Sequence, residues 1–327
     1  MNARIILGVL LLLAGVWFLS AVFGSNKGGD GDAEPRAFTS SQQCAECHPE
    51  VYAEWQSSPH ANSWTNERVR QLSNEFAIKD CIDCHAPMPV FEVGVNERPL
   101  PREERRIEGV DCITCHELPN NGGVAGTRTN SQAACRPVER IELTRVDFCA
   151  SCHNQHKTVD QWRVSGFPEK DTSCLDCHMP HRNGDPNAGR VHSMPGGTSL
   201  ANLKAAVTME GEALDSGWVV SLANVGAGHA FPTDERSRAA DLFWRPLGSD
   251  AGWTHFYRIR DPYRTETDIP RTLIDAGETR RIPVPDATGA IEVALFYKRS
   301  PFYRSPEQWN PEEEDDIQMV HRLELQP

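Results

Sequence analysis

Cys44-Ala-Glu-Cys47-His48 is the first of five copies of one short pattern in this sequence. The others are Cys81-Ile-Asp-Cys84-His85, Cys112-Ile-Thr-Cys115-His116, Cys149-Ala-Ser-Cys152-His153 and Cys174-Leu-Asp-Cys177-His178. In a Cys-x-x-Cys-His motif the two thiols add to the vinyl groups of a haem, and the histidine binds the iron as its proximal ligand. Zinc sites pair Cys-x-x-Cys units without requiring a histidine after each second cysteine. The five copies therefore predict five covalently bound haem c groups.

Composition narrows the class of protein further. The formal net charge is −13 over 327 residues, which argues against nucleic acid as a partner because phosphate backbones attract basic surfaces. Ten of the 11 cysteines belong to the motifs, so no pair remains for a disulfide scaffold. The remaining Cys135 is expected to be a buried small side chain, with a reactive thiol or an intermolecular bridge as the alternative.

The first residues determine the predicted location. Residues 5–23 form an uninterrupted apolar run after Arg4, which suits a transmembrane helix that leaves the rest of the chain on the periplasmic side of the cytoplasmic membrane. A cleaved signal peptide is the alternative, and it would release the protein to the periplasm or the cell surface. We assign residues 1–24 to this anchor or signal and residues 25–43 to a flexible linker.

Two domains are predicted after the linker. Residues 44–197 carry all five motifs, so stacked porphyrins are expected to form the core of a mostly irregular domain with short helices at the motifs and around 50–56 and 67–77. Residues 198–327 contain short alternating apolar runs broken by Gly, Pro and Asp, which predicts an all-β domain resembling an antiparallel sandwich. The predicted strands are Ala205–Met209, Trp218–Ala223, Asp241–Arg245, Trp253–Arg260, Arg281–Val284, Ile291–Tyr297 and Ile317–Leu325. The basic stretch 98–106, which also contains acidic residues, is interpreted as a solvated helix, with pairing to haem propionates or docking of a partner as the alternatives.

Seven histidines outside the motifs are available to complete the iron sites. Histidine on both faces of a haem leaves no open position on the iron and keeps its potential low, which suits electron transfer. The predicted distal ligands are His60, His156, His181, His192 and His229. His255 and His321 lie inside predicted strands and are interpreted as ordinary sandwich residues. Met88, Met179 and Met194 lie beside prolines and are expected to pack against porphyrin rather than bind iron.

Local context supports the first two distal ligands. His60 follows Trp55, which lies two helical turns after His48, so the His60 ring is delivered from just past a helix end. His156 lies three residues after His153 on one helical turn, so the two rings leave the same side and cannot bind one iron. His156 would then serve a neighbouring haem.

The other three distal candidates lie in loops. His181 follows Pro180, which ends the helix of the fifth motif, and for this residue a ligand role and a plain loop role stay open. His192 lies in a Gly-rich loop that an iron would hold in place. His229 opens a turn between two predicted strands, and as a ligand it would dock the C-terminal domain onto the haem array.

Several of these residues resemble a known group of proteins. The first motif followed by Trp55-x-x-Ser58-x-His60 resembles the amino-terminal signature of cytochromes of the c-554 type, which are related to hydroxylamine oxidoreductase. The fifth motif with Met179-Pro180 and the later His192 is similar to the last haem segment of the same group. Residues 228–233, Gly-His-Ala-Phe-Pro-Thr, resemble a Gly-His-x-Phe-Pro-Thr-Gly element of many multihaem cytochromes, with Asp234 in place of the final glycine. The resemblance implies that His229 is a haem ligand.

Together these features predict a membrane-anchored pentahaem cytochrome that relays electrons between a membrane or periplasmic donor and an acceptor. Redox proteins are its expected partners, the oligomeric state is left open, and no catalytic residue is assigned, because an electron carrier is favoured over an enzyme. A multihaem oxidoreductase of small nitrogen or sulfur compounds is the first alternative. Such enzymes often have lysine in place of a motif histidine, whereas all five motifs here keep histidine. A protomer of an extracellular cytochrome filament is the second alternative.

Overall fold

The computed structural model describes residues 38–120, 122–215, 217–233, 238–262, 266–299, 311–312 and 317–327. All of them belong to one compact unit, Ala37–Pro327. None of the helices formed by these residues is long and apolar enough to cross a bilayer. The predicted anchor at residues 1–24 lies outside the described residues, as does most of the predicted linker.

Four of the five motifs form short helices that end at the motif histidine. These helices are Lys79–His85, Cys112–His116, Val146–His153 and Cys174–His178. Residues at positions i, i+3 and i+4 share one face of a helix, so both cysteines and the histidine of a motif are directed to the same side. Polar caps start two of them. Asp111 accepts a hydrogen bond from the Thr114 N–H at 2.7 Å, and Ser173 and Asp176 form a reciprocal capping box.

Turns and loops connect the motif helices. The first motif begins in the 3-10 turn Ser41–Glu46, and its histidine immediately precedes the helix Pro49–Gln56. The remaining helices are Glu67–Leu72, Val90–Val93, Thr158–Arg163 and Leu200–Ala206, with 3-10 turns at Arg106–Glu108, Ile141–Thr144, Asn154–His156, Pro168–Lys170 and Arg182–Gly184. The helix predicted around 67–77 ends at Leu72, because Asn74, Glu75 and Phe76 take left-handed φ angles of 50°, 54° and 61°.

Two local features differ from the sequence predictions. A short parallel pair, β1 (Val124–Gly126) with β2 (Pro137–Glu139), was not among the predicted elements. The prediction of a solvated helix at 98–106 is wrong. Its Arg102 is only 6% exposed, donates a hydrogen bond to the Pro87 carbonyl at 2.8 Å and lies 3.4 Å from the fully buried Asp111 carboxylate. These buried contacts of Arg102 stabilise the segment that precedes the third motif.

The C-terminal part contains seven strands in two antiparallel sheets. The strands are β3 (Val207–Leu214), β4 (Gly217–Asn224), β5 (Ala239–Pro246), β6 (Thr254–Ile259), β7 (Thr279–Val284), β8 (Ile291–Lys298) and β9 (Ile317–Leu325). One sheet has the order β3-β4-β7, and the other has the order β6-β5-β8-β9. Each overlaps one predicted strand, so the prediction of antiparallel sheets after the helical part is confirmed.

The two sheets share one apolar core. Val220 and Leu222 of the three-stranded sheet belong to the same buried cluster as Leu242, Ile259 and Leu295 of the four-stranded sheet. Alternation along each strand therefore places one face of each sheet in a common interior. The central strand β8 is buried at all eight positions, because its other face packs in a second cluster around Phe243 and Phe296.

Clusters of buried apolar side chains are confined to the sandwich. Among the described residues, both clusters consist of residues from Leu203 onward. The part with the motifs buries individual apolar side chains such as Trp55, Ile113 and Val159. This distribution is what a core filled by porphyrin requires, although the haem-dominated core itself stays a prediction.

Replacing one core leucine tests the shared interior. Leu295→Ala is expected to lower the free energy of unfolding by about 2–5 kcal/mol, because a fully buried leucine leaves a cavity. Leu214→Ala on β3, where the leucine is 45% exposed, should change it by about 0.5 kcal/mol or less. Denaturant titration followed by far-ultraviolet circular dichroism measures both, and equal losses would contradict the packing described.

Candidate haem sites

Thiols of different motifs meet in the structure. Hydrogen bonds join Cys44 to Cys112, Cys84 to Cys152 and Cys149 to Cys174. In each pair the hydrogen bond, together with burial, raises the pKa of one thiol well above its usual value, namely that of Cys44, Cys152 and Cys149. Cys47 and Cys177 are exposed, and the other motif cysteines are partly buried. The motifs are therefore packed against one another.

Three motif histidines have their Nδ1 atoms fixed by backbone carbonyl groups. His85 Nδ1 lies 2.9 Å from the Ser63 carbonyl, His116 Nδ1 lies 2.8 Å from that of Ala125, and His178 Nδ1 lies 2.6 Å from that of Pro195. A carbonyl oxygen can only accept, so each Nδ1 carries the proton and Nε2 keeps its lone pair. Histidines that bind metals are commonly oriented in this way.

Two of the predicted distal ligands are fixed in the same manner. His192 Nδ1 lies 2.9 Å from the Arg190 carbonyl, and His229 Nδ1 lies 3.0 Å from the Ala230 carbonyl. Their Nε2 atoms are therefore also left with a free lone pair. This tautomer is the one required for iron ligation through Nε2.

Three motif histidines face a predicted distal histidine. The ring centroids of His116 and His192 are 6.3 Å apart, those of His178 and His229 are 6.4 Å apart, and those of His60 and His153 are 5.9 Å apart. A metal bound by two opposed imidazoles, with each metal–nitrogen bond ~2.0 Å long, separates the ring centroids by roughly 6 Å. The donor type and spacing therefore fit haem iron between the rings of all three pairs, and the tautomer fits in the pairs His116/His192 and His178/His229.

Burial lowers the pKa of four of these imidazoles. The pKa of His60 is lowered to about 3 by burial and by the nearby His153, His178 and His85, and the pKa of His192 is lowered to about 4 by burial and by His116. Burial also lowers the pKa of His116 and that of His229. The neutral imidazole is the form that binds a metal.

An ion pair fixes the loop that carries His192. Both carboxylate oxygens of Glu54 accept hydrogen bonds from Arg182, at 2.6 and 2.7 Å. One of them also accepts from the backbone N–H of His192 at 2.8 Å. Burial disfavours the charged carboxylate, but these hydrogen bonds outweigh it and lower the pKa of Glu54. The helix Pro49–Gln56 thereby positions the ring that faces His116.

Asn224 organises the loop that carries His229. Its fully buried side chain donates to the His229 carbonyl at 2.8 Å and to that of Ile274 at 3.0 Å, and it accepts from the Ala227 N–H at 3.2 Å. Beyond the ring, the Ala230 N–H donates to Gln161 Oε1 at 3.0 Å. The sandwich thus presents His229 to the part of the chain with the motifs, and its role as a ligand stays a prediction.

The loop with His60 is held by the segment before the third motif. The His60 carbonyl accepts from the Val110 N–H at 2.9 Å, and Trp55 Nε1 donates to the Val110 carbonyl at 2.8 Å. Gly109 has a φ angle of +60°, and a Cβ atom there would collide with the His60 carbonyl. At the ring, His60 Nδ1 contacts the sulfur of Met194.

The other two predicted distal ligands lie elsewhere. His156 ends the 3-10 turn Asn154–His156 and is exposed. His181 forms a β-bridge with Arg190, and its buried Nδ1 has no hydrogen-bond partner among the described residues. Their ligand roles stay predictions. Cys135 is partly buried rather than buried.

The two remaining histidines belong to the sheets, as predicted. His255 Nε2 lies 3.1 Å from the buried Asp241 carboxylate, and His321 Nε2 lies 2.6 Å from the Val207 carbonyl. Sequence reasoning did not find Glu54 or Asn224. In the sequence, Glu54 is an ordinary residue of a predicted helix and Asn224 directly follows a predicted strand, and neither pattern signals a partner far along the chain.

Comparison with known proteins gives two informative matches. The family model for cytochrome c554 and c-prime matches residues 43–117, which include the first three motifs. The fold is similar to the crystal structure of a pentahaem cytochrome c552 from Thermochromatium tepidum, with a TM-score of 0.62 and 17% identity over 88% of this chain and 98% of that chain. A superoxide reductase from Nanoarchaeum equitans matches with a TM-score of 0.20, 15% identity, 38% of this chain and 94% of that chain, too distantly to indicate a shared fold. No curated protein sequence matches the chain.

These findings support a multihaem c-type cytochrome, the class that the five motifs predict. The family match also supports haem c as its cofactor, and the structural match shows a similar fold. The family match covers less of the chain than the resemblance noted in the sequence, which extends to about residue 197.

Glu54→Gln tests the clamp on the His192 loop. The neutral amide weakens the charge-assisted hydrogen bonds, each worth about 1.5–3 kcal/mol, so the His192 amide should exchange its hydrogen about tenfold faster or more. Hydrogen exchange of the haem-loaded protein, read by mass spectrometry, measures this rate. Glu212→Gln is the matched control, since its ion pair with Arg281 at 2.7 Å is exposed and joins two strands of the sandwich. Unchanged exchange at His192 would contradict the clamp.

Proposed function

We propose that this protein carries five haem c groups and relays electrons along them, anchored in the cytoplasmic membrane and facing the periplasm. The observation that carries the proposal is the set of three facing histidine pairs in a region with five Cys-x-x-Cys-His motifs. Haem supplies reversible one-electron oxidation and reduction when bound. The chain supplies the thiols, the paired imidazoles and their fixed tautomers.

Paired imidazoles favour electron transfer over catalysis. In the His116/His192 and His178/His229 pairs, backbone carbonyls bind the Nδ1 atoms of both rings and leave Nε2 with its lone pair. An iron held from both sides has no open position for a substrate. Small structural change between the oxidation states then keeps the barrier to electron transfer low. The oxidoreductase alternative would need an iron whose second face is open.

The thiol contacts suggest an order for the relay. They join the first motif to the third, the second to the fourth, and the fourth to the fifth. Cys115 of the third motif also lies close enough to the fourth motif to raise the pKa of Cys149 and that of Cys152. All five motifs therefore form one connected set in which the fourth is the junction. In this proposal electrons pass between the first and third sites, and the fourth site connects them to the second and fifth.

The sequence suggests the kinds of electron donor and acceptor at the two ends of the relay. The apolar run at residues 5–23 is the proposed anchor, and it would keep the haem array beside a donor in the membrane. The net charge of −13 favours partners with basic docking surfaces, since complementary charge speeds encounter. Redox proteins of the periplasm are therefore the proposed partners.

Mass and spectra of the mature protein test this proposal. We expect a mass increase of five haem groups, purification with the membrane fraction, and low-spin six-coordinate iron that does not take up carbon monoxide when reduced. Fewer haem groups would contradict the count. A high-spin signal with ligand uptake would favour the oxidoreductase. A soluble mature chain that starts after residue 24 would contradict the anchor.

His229→Ala tests the contribution of the sandwich. We expect one haem to become high-spin and to bind carbon monoxide, because the ring opposite His178 is lost. His321→Ala removes another partly buried histidine of the same domain, one that bonds the Val207 carbonyl, and should leave every haem low-spin. Electron paramagnetic resonance of the oxidised proteins separates the outcomes. Identical spectra for both variants would remove His229 from the ligand set.

A further inference from the structure

The ring of His60 differs from five other histidines of the haem sites in what its Nδ1 atom meets. Five rings place Nδ1 against a backbone carbonyl, at 2.6 to 3.0 Å. The Nδ1 of His60 meets the thioether sulfur of Met194 instead. A carbonyl oxygen is a strong acceptor, whereas a thioether sulfur is a weak one.

This difference changes the imidazole as a ligand. A strong acceptor at Nδ1 draws the proton outward, which raises the basicity of the ring and its donation to the metal. Stronger donation stabilises ferric iron relative to ferrous iron and lowers the reduction potential. A ring whose Nδ1–H meets only a thioether donates less, so its iron should have a higher potential.

The backbone on both sides of Met194 is fixed. Two residues earlier, the His192 N–H donates to Glu54. One residue later, the Pro195 carbonyl accepts from His178 Nδ1 at 2.6 Å and from Asn202 at 3.2 Å. Met194 itself takes a left-handed φ of 44°, which a non-glycine residue adopts only where its surroundings impose it. The sulfur is therefore placed beside His60 by structure around it.

We propose that Met194 is a positioning residue that raises the reduction potential of the iron between His60 and His153 above those of the His116/His192 and His178/His229 irons. In these two other pairs all four Nδ1 atoms are bonded to carbonyls. The inference rests on the proposed function, since it assumes that these pairs hold iron. His153 belongs to the fourth motif, the junction of the array, so electrons arriving from the third or the fifth site would collect there.

Met194→Gln is the direct test. The glutamine carbonyl restores a strong acceptor near Nδ1, so the potential of one haem should shift downward while the others stay constant. Met194→Leu offers no acceptor and should produce no downward shift. Met319→Gln, a partly buried methionine on β9 in the cluster around Phe296, makes the same chemical change inside the sandwich and should leave all potentials unchanged. Potentiometric titration followed by electron paramagnetic resonance gives each potential.

A second measurement does not depend on how the glutamine variant folds. His60→Ala identifies the haem on His153 as the one that loses its low-spin signal. In the unmodified protein that same signal should titrate at a higher potential than those assigned through His192→Ala and His229→Ala. A lower or equal potential would overturn the inference.

Other outcomes separate this inference from the proposed function. If Met194→Leu abolishes a near-infrared charge-transfer band from thioether to iron, Met194 is itself an iron ligand and the inference is wrong. If Met194→Gln shifts no potential while all irons are low-spin with two histidines, the inference fails and the electron relay stands. If the unmodified protein shows open high-spin iron at the His60 site, both fail.

Discussion

Backbone carbonyls that bind the Nδ1 atoms of histidine rings are the interaction on which the haem sites depend. Each such hydrogen bond fixes three properties at once, namely the tautomer, the plane of the ring and the basicity of the remaining nitrogen. Because the acceptors belong to the main chain, they cannot rotate away as a side chain can. The cost is that the main chain must pass close to each ring at a fixed position.

The antiparallel sandwich gives rigidity to a part of the molecule that has little apolar core of its own. Its two sheets bury a common cluster of apolar residues between Leu203 and Leu325. Asn224, at the end of β4, connects this stable core to the turn with His229 because it donates a hydrogen bond to the His229 carbonyl. The contact between Ala230 and Gln161 then joins the turn to the helix Thr158–Arg163. A ligand supplied by a stable domain is held in place even where the surrounding loops are not.

Local patterns in the sequence predict much of this structure. The spacing of the motifs requires short helices because positions i, i+3 and i+4 must share a face, and four of the five motifs form them. Alternating apolar residues predict each strand of the sandwich, because one face of each sheet must be buried. The turn at His229 follows from the two strands beside it.

Features that depend on distant residues escape such patterns. The facing of His116 with His192 is set by Glu54, which belongs to neither motif nor loop. Arg102 has the local context of a surface residue, and it is buried because the chain folds around it, so that the Asp111 carboxylate and the carbonyls of Pro87 and Gly109 surround its guanidinium group. The Nδ1 partners are carbonyl groups, which every residue has, so no residue type reveals them. Which histidine faces which, and which carbonyl binds each ring, is therefore set only in the folded chain.

The four-residue segment 192–195 contributes a contact to three of the candidate haem sites. His192 faces His116, Met194 contacts His60, and the Pro195 carbonyl fixes His178. The segment follows the fifth motif in the chain, so during synthesis it emerges after all the cysteines that attach haem. In the proposed array, the irons of these three sites would therefore acquire their final surroundings only when this segment has folded. Haem groups attached at the earlier motifs would keep an open iron position until then, so the folding of this short segment would complete the proposed electron relay.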